Sequence, residues 1–167
     1  MAACRDLSRS LHKLTARLDR AADAILRAEA GVSYSRFLAL CMVGSEGADT
    51  QRALAERLGV REPSVSRMVR VLADGGWLQT LPDPAGGNRN RLRLTPSGEQ
   101  LVQRWGAELE ERLAALLETA GVPYRTYRTH TMRLLAALDG QPGDARVRTS
   151  AAAPTPLAHK GPTSTRP

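Results

Sequence analysis

Apolar residues near the start of the chain recur at alternating steps of four and three positions. This spacing is a heptad seam, which predicts a long helix over residues 5–30 that ends at Gly31. The seam needs a partner along its length, and the pattern leaves open whether that partner is another helix of this chain or a second copy of the chain. The apolar positions are Leu7, Leu11, Leu14, Leu18, Ala21 or Ala22, and Ile25.

A second helix is predicted immediately downstream. Most of its faces are apolar, so we expect it to be central in the fold. Ser33 or Ser35 is suited to cap its start, and Gly44 and Gly47 are expected to close it. The apolar positions are Phe37, Leu38, Leu40, Cys41 and Val43.

The next two helices are predicted to be short and joined by a tight turn. Thr50 is suited to cap the first helix, and Gly59 fits the left-handed position after its end. Pro63 belongs in the first turn of the second helix, because its missing N–H costs nothing there, and Gly75-Gly76 ends that helix. The inward positions are Leu54 and Leu58 in the first helix and Val65, Met68, Val69 and Leu72 in the second.

The segment Arg91-Leu92-Arg93-Leu94 alternates strictly between polar and apolar residues. This pattern predicts a strand whose leucines face a core and whose arginines face solvent. We expect it to pair with residues 77–81. The Gly- and Asn-rich loop between the two segments is longer than a tight hairpin requires, which predicts a two-stranded wing with an extended tip.

Two further helices are predicted after the ribbon. Thr95 and Pro96 form a helix start, and the helix that follows is expected to end near Gly121. Pro123 begins a last helix. Residues 140–167 are rich in Ala, Pro, Thr and Arg and are expected to form a disordered, weakly basic tail.

The order of helix, turn, helix and two-stranded ribbon predicts the fold class. We expect a mainly α protein, a winged helix-turn-helix with flanking N- and C-terminal helices. The expected domain covers residues 1–139, with flanking helices over about 5–30 and 97–139 and the winged helix over about 33–95.

The net charge of the chain indicates which class of partner it binds. The formal net charge is +7 and the pI about 10.4, which favours a polyanion, nucleic acid first and an anionic membrane second. Residues 51–95 hold eight arginines and four acidic residues, so more than half of the net charge lies in the winged segment. A merely soluble basic protein is the alternative interpretation.

Several classes of function are disfavoured by the same sequence. Two cysteines without a Cys-x-x-Cys pair and three scattered histidines predict no metal site, and no cofactor is expected. The chain has no glycine-rich nucleotide loop and no nucleophile–base pattern, so we do not expect an enzyme. No run of 18 apolar residues and no secretory signal occurs, which predicts a soluble, cytoplasmic protein without membrane association.

The outward face of the second short helix is suited to the major groove of double-stranded DNA. Arg67 and Arg70 are expected to read guanine in bidentate fashion, and Ser64 and Ser66 to bind bases or phosphates. Pro63 lies at the N-terminal end of this face. Without the adjoining turn and ribbon, the same residues would be interpreted as a solvated polar face.

The ribbon tip is the second predicted DNA contact. Asn88, Arg89 and Arg91 are expected to enter a minor groove or to bind phosphates, and Gly86-Gly87 lets the backbone approach closely. A flexible loop whose arginines only raise solubility is the alternative.

Four segments of this region match a known pattern: Leu54–Val60 (LAERLGV), Pro63–Arg67 (PSVSR), Asp83-Pro84 and Leu94–Gly98 (LTPSG). Together they resemble the MarR family of bacterial transcription regulators, and the similarity covers most of residues 7–138. The resemblance implies a homodimer in which the first, fifth and sixth helices interlock, with a winged lobe on each side. The flanking N- and C-terminal helices, over about 5–30 and 97–139, would then be dimerisation helices. It also implies a repressor that binds a pseudo-palindromic operator and is released by a small aromatic or phenolic ligand.

Two positions depart from the family pattern. The family wing usually carries Asp-x-Arg-(Asp/Ser)-x-Arg, of which only Asp83 is retained, so the usual Asp–Arg brace of the wing is expected to be missing. The position that often holds a capping Ser before the recognition helix holds Arg61. This change removes a side-chain cap and adds a candidate phosphate contact.

The resemblance also places an effector site between the dimer helices and the winged lobe. The candidates by position are His12, Arg20, Tyr34, Arg36 and Trp105, and an ordinary packing or surface role is the alternative for each.

Two other functions remain open. Cys4 and Cys41 raise the alternative of a thiol-based redox sensor, since some relatives sense hydroperoxides with an N-terminal thiolate. The other alternative is a winged-helix protein-interaction module that does not bind DNA.

Overall fold

The structure is a computed structural model that describes residues 7–45, 47–83 and 90–139. The order of elements in these ranges confirms the prediction of a mainly α, winged helix-turn-helix fold. The elements are α1 (Leu7–Glu29), α2 (Tyr34–Ser45), α3 (Gln51–Leu58), α4 (Glu62–Asp74), β1 (Leu78–Pro82), β2 (Asn90–Leu94), α5 (Pro96–Thr119) and α6 (Tyr124–Asp139).

The chain divides into two compact units, Met1–Gly121 and Val122–Pro167. The first unit holds α1 to α5 and the ribbon, and the second holds α6. The predicted tail, residues 140–167, lies outside the described residues. The domain limits inferred from the sequence stay predictions.

The larger core of the first unit lies beneath α3 and α4. Leu40 of α2, Leu54 of α3 and Leu72 of α4 are fully buried there, and Leu92 of β2 closes it. The inward positions of α3, α4 and β2 are those that the helical and alternating patterns predicted. Burial of one face of α4 in this core leaves its opposite face in solvent.

A second core joins α1, α2 and α5 through Leu26, Val32, Phe37 and Trp105. Leu26 is the one buried residue of α1. The N-terminal half of the predicted heptad seam is exposed in the chain, so its apolar stripe is available to a partner.

The two strands pair in antiparallel fashion, with Leu78 opposite Leu94 and Thr80 opposite Leu92. The side chains of Leu92 and Leu94 are buried, whereas Arg91 and Arg93 are exposed. This alternation confirms the predicted strand and its two faces.

Two glycines permit close packing between elements of the fold. Gly44 was expected to close α2, but the helix continues to Ser45. A Cβ at position 44 would lie 2.7 Å from Leu94 Cδ1, so this glycine lets α2 approach β2. A Cβ at Gly98 would lie 2.0 Å from the carbonyl oxygen of Trp77, so only glycine lets the first turn of α5 approach the ribbon this closely.

Candidate DNA-binding surface

The turn between α3 and α4 fixes where α4 begins. Thr50 caps α3 by accepting a backbone hydrogen bond within the first turn, as predicted. Gly59 has a φ of 65° and ends α3 in the left-handed conformation, while the Val60 N–H donates to the carbonyl of Ala55 at 3.1 Å. Pro63 then lies in the first turn of α4.

Arg61 occupies the N-cap position of α4 and makes no side-chain cap hydrogen bond, as its replacement of the usual serine predicted. The first N–H groups of a helix carry partial positive charge, which favours an anion at this end. The carboxylate of Glu62, in the first turn of α4, supplies part of the negative charge that this helix end favours. Arg61 itself is exposed beside the same helix end, where its guanidinium is suited to a phosphate.

The outward face of α4 is polar because the helix buries its opposite side. Val65 and Leu72 are fully buried, and Val69 is nearly so. Their spacing turns the intervening side chains away from the core. The exposed positions are Pro63, Ser64, Arg67 and Arg70, and Ser66 is half-buried.

The arginines of α3 and α4 differ in whether they form ion pairs. Arg52 on α3 binds Glu56 at 3.0 Å. No acidic side chain in the described ranges pairs with Arg61, Arg67 or Arg70. The N-cap and the outward face of α4 therefore present three guanidinium groups that form no ion pair within the described residues, an arrangement suited to phosphates and to the acceptor edge of guanine.

A salt bridge braces the base of the wing, so the prediction that the Asp–Arg brace is missing was wrong. Arg91 Nε lies 3.1 Å from Asp83 Oδ1, and Arg91 Nη1 lies 2.9 Å from Asp49 Oδ2. The usual arginine positions in the loop do hold other residues, but β2 supplies an arginine that reaches the same aspartate. Contact by Arg91 with DNA stays a prediction, and its guanidinium is already shared by two carboxylates.

The segment before α3 is bound to β2 by its main chain as well. The Leu92 N–H donates to the carbonyl oxygen of Asp49 at 2.7 Å. Asp49 therefore holds β2 through its backbone and Arg91 through its side chain. These two contacts fix the base of the wing relative to the helix-turn-helix.

Arg93 is a candidate contact that the sequence pattern did not single out. It is exposed on the same face of β2 as Arg91, and no acidic residue pairs with it in the described ranges. The period of two along a strand was the signal that could have identified it. The predicted tip residues Asn88 and Arg89 lie outside the described residues.

A cavity of about 460 Å³ lies between α1, α2 and α5, which we call the α1/α2/α5 groove. Its wall includes Leu18, Phe37 and Leu109. Tyr34 lines it, and burial, with a smaller effect of Asp19, raises the pKa of the Tyr34 hydroxyl above its usual value.

The other predicted effector residues do not gather at this groove. His12 and Arg20 line a separate depression on α1. Trp105 is buried in the second core, with the Arg104 guanidinium 5.3 Å from its ring centroid. Arg36 is half-buried on α2. Of the five candidates, the structure places Tyr34 alone in the wall of the groove, within the described residues.

Asp23 joins α1 to the start of α2. Its carboxylate accepts a hydrogen bond from Arg27 Nε at 2.6 Å and from the backbone N–H of Tyr34 at 2.9 Å. These bonds, first that from Arg27 and then that from Tyr34, lower the pKa of Asp23. The predicted caps Ser33 and Ser35 bring their hydroxyl oxygens within 3.3 Å of each other.

The described residues form no arrangement suited to thiol-based sensing or to metal binding. Cys4 lies outside the described residues, and Cys41 is half-buried on α2. No group of three or more His, Cys, Asp or Glu side chains in the described ranges is arranged to hold a metal ion. None of the described helices is both long and apolar enough to cross a membrane.

A family model described as the MarR family matches residues 30–87. An uncharacterised HTH-type transcriptional regulator of Mycobacterium bovis is 36% identical over 112 residues, which cover 66% of this chain and 78% of that protein.

Solved structures show the same fold. The multiple antibiotic resistance repressor MarR superposes with a TM-score of 0.64 at 25% identity, covering 80% of this chain and 97% of that one. NadR in complex with 4-hydroxyphenylacetate superposes with a TM-score of 0.67 at 23% identity, covering 84% of this chain and 96% of that one.

Proposed function

The chain belongs to the MarR family of DNA-binding transcription regulators, and we propose that it is a homodimeric repressor of a pseudo-palindromic operator. In this proposal α4 of each subunit enters a major groove and the ribbon contacts the adjacent backbone or minor groove. A small aromatic ligand, of which phenols are one class, releases the operator.

The observation that carries the proposal is the face of α4 that the core leaves in solvent. Arg67 and Arg70 lie there without acidic partners in the described ranges, and each is assigned a guanine base edge. Arg61, Pro63 and Ser64 lie at the N-terminal end of α4, where they approach phosphates. The half-buried Ser66 is assigned a base or phosphate contact nearby.

The wing supplies the second contact. Arg89 and Asn88 at its tip are assigned to the minor groove or to phosphates. Arg91 fixes the base of the wing through Asp83 and Asp49, and in this proposal it holds the tip towards the DNA.

Dimerisation is supported by an apolar stripe on α1. Leu7, Leu11 and Leu14 are 71%, 47% and 40% exposed in the single chain. Three leucines at heptad spacing on a long amphipathic helix favour packing against another helix. Burying one leucine fully contributes about 1.5–3 kcal/mol, so a second copy of the chain gains substantial stability from this stripe.

Ligand release is assigned to the α1/α2/α5 groove. The groove adjoins α1, the proposed dimerisation helix, and α2, which packs against the winged lobe. A ligand there can shift α1 relative to α2 and so change the spacing of the two α4 helices. Tyr34 is the proposed hydrogen-bonding residue in the groove. The other four effector candidates, His12, Arg20, Arg36 and Trp105, do not line the groove and are assigned no contact with the ligand.

Selection of bound sites from random double-stranded DNA tests the proposal. We expect two half-sites about one helical turn apart, related by a two-fold axis. Affinity for the selected site should fall steeply with salt, by about one log unit per decade for each phosphate contact. Failure to enrich any site, with weak affinity that is insensitive to salt, would contradict the proposal and support a protein-interaction module instead.

A further inference from the structure

A second cavity, of about 550 Å³, lies between the end of α2, the strand β2 and the first turns of α5. We call it the α2/β2/α5 pocket. The described residues that line it come from these three elements and not from α1, so the leucine seam assigned to a second copy of the chain leaves it open. Its volume falls within the range of small-molecule sites.

The end of α2 forms one wall of this pocket. Val43, Gly44 and Ser45 are the last three residues of α2, and all three line the pocket. Their carbonyl oxygens accept no hydrogen bond within the described residues, whereas the carbonyl of Met42 accepts from the Ala48 N–H at 3.1 Å. The last carbonyls of a helix carry partial negative charge, so this wall attracts a cation.

Glu99, in the first turn of α5, adds a full negative charge to the pocket. Its carboxylate forms no ion pair within the described residues. An ammonium group has three N–H donors, and this part of the pocket offers it a carboxylate and the carbonyl oxygens at the end of α2.

Arg93 of β2 supplies the opposite charge to the same pocket. It forms no ion pair within the described residues, so it does not pair with Glu99 either. Arg91 lies on the same face of β2 and reaches past the strand edge to Asp49 at 2.9 Å, so an arginine on this face can extend beyond that edge. A guanidinium is suited to bind a carboxylate in bidentate fashion.

The remaining wall of the pocket is aliphatic. Leu92 and Leu94 of β2 and Val102 of α5 contribute to it. Leu92 and Leu94 are buried, and Val102 packs against the same core, so this surface is fixed by the fold. A branched aliphatic group loses its contact with water when it packs here, which favours binding.

We infer that the α2/β2/α5 pocket binds a small zwitterion with an aliphatic side chain, of the α-amino acid class. The carboxylate of the ligand binds Arg93, and its ammonium group binds Glu99 and the carbonyl oxygens at the end of α2. Its side chain lies against Leu94 and Val102. This inference goes beyond the proposed function, because it depends neither on operator binding nor on the α1/α2/α5 groove.

L-leucine and two of its derivatives test the need for both charges. L-leucinamide lacks the carboxylate, and N-acetyl-L-leucine lacks the ammonium group. Each is titrated into the full chain at about pH 6, where the amine of leucinamide is charged, and binding is followed by nuclear magnetic resonance. We expect L-leucine to bind about tenfold or more tightly than either derivative. Equal affinity of L-leucine and either derivative, or no binding of L-leucine, would overturn the inference.

Glycine tests the aliphatic wall. It carries the same two charges as L-leucine but has no side chain, so it should bind about tenfold or more weakly. Glycine that binds as tightly as L-leucine contradicts the assignment of an aliphatic ligand to this pocket.

Variants locate the two charges in the pocket. Arg93→Ala should lower the affinity for L-leucine about tenfold or more and leave that for L-leucinamide unchanged. Glu99→Gln should lower the affinity for L-leucine similarly and leave that for N-acetyl-L-leucine no weaker. Both residues are exposed, so neither change removes a core contact.

Two matched variants change the same charges away from the pocket. Glu118→Gln on α5 and Arg67→Ala on α4 should bind every probe as the unmodified chain does. If Arg93→Ala or Glu99→Gln also binds L-leucine as the unmodified chain does, the zwitterion lies elsewhere and the inference is wrong. All titrations are made without DNA, because Arg93 is also a candidate phosphate contact. Failure of operator binding therefore refutes the regulator proposal alone, and the titrations still decide the ligand class.

Discussion

The Nη1 atom of Arg91 lies 2.9 Å from a carboxylate oxygen of Asp49, across 42 positions of sequence. The Nε atom of the same side chain lies 3.1 Å from Asp83, at the start of the wing loop. One guanidinium thus connects the segment before α3, the end of β1 and the strand β2. The base of the wing is therefore fixed relative to α3 and α4, which present the helix-turn-helix.

Replacing Arg91 with Ala should destabilise the fold more than replacing Arg93 with Ala. Arg91 and its partners Asp49 and Asp83 have side chains that are 49%, 45% and 10% exposed, so solvent screens much of the attraction. After that discount we expect Arg91→Ala to lower the free energy of unfolding by about 1 kcal/mol. Urea denaturation of both variants measures the difference.

Arg93→Ala is the matched control, since it removes the same charge from the same face of β2. It should change the free energy of unfolding by less than about 0.5 kcal/mol. Equal destabilisation by the two variants would mean that the contacts of Arg91 with the two aspartates contribute nothing specific.

Arg67→Ala and Arg70→Ala should each change which sequences are bound. Loss of a bidentate contact to guanine should cost about 1–3 kcal/mol at the selected operator and relax the choice of base at one position. Arg93→Ala should instead weaken all sequences similarly and flatten the salt dependence by about one. Competition binding with operator variants at several salt concentrations separates these results. Unchanged base preference in both α4 variants would remove these residues from base readout.

The parts of the fold that depend on local periodicity were predictable from the sequence. The i, i+3, i+4 spacing of Val65, Met68 and Val69 placed the outward face of α4 correctly, because burial of one stripe determines the position of the other. Thr50 and Gly59 fulfilled the local requirements of a cap and a left-handed turn, so the bounds of α3 followed from them.

Contacts between distant segments were not predictable in this way. The brace between Arg91 and Asp49 has no periodic signal, and inspection of the loop positions alone suggested that it was missing. Gly44 was predicted to end α2, because the sequence does not show that this position packs closely against Leu94 of β2. The effector candidates followed from their positions in a family pattern. The wall of the groove is formed by three helices together, so its residues cannot be identified from one segment of sequence.

Asp23→Asn should destabilise the chain in a pH-dependent manner. Hydrogen bonds from Arg27 and from the Tyr34 N–H lower the pKa of Asp23 in the folded state. A carboxyl whose folded pKa is depressed contributes stability above its unfolded pKa of about 3.9, and that stability is lost as the pH falls through the folded value. The difference between Asp23→Asn and the unmodified chain should therefore be largest near neutral pH and shrink below about pH 4.

Thermal unfolding over this pH range measures the effect. Arg27→Ala is a useful comparison, since it removes one partner of Asp23 but leaves the bond to the Tyr34 N–H. It should reduce stability less than Asp23→Asn at neutral pH. A difference for Asp23→Asn that does not vary with pH would show that ionisation of this carboxyl does not stabilise the junction of α1 and α2.

Leu11→Glu should convert the proposed dimer to a monomer. Leu11 is 47% exposed on the heptad face of α1, and burial of a carboxylate between two helices costs more than the leucine contributes. We expect the dimer dissociation constant to rise roughly a hundredfold or more, which corresponds to about 3 kcal/mol. Sedimentation velocity at several concentrations measures this shift.

Leu81→Glu makes the same change at a leucine that is 37% exposed on β1, and it should leave the chain dimeric. A dimer that persists in Leu11→Glu would show that the seam of α1 packs elsewhere, and a monomer in both variants would point to a general effect of the added charge.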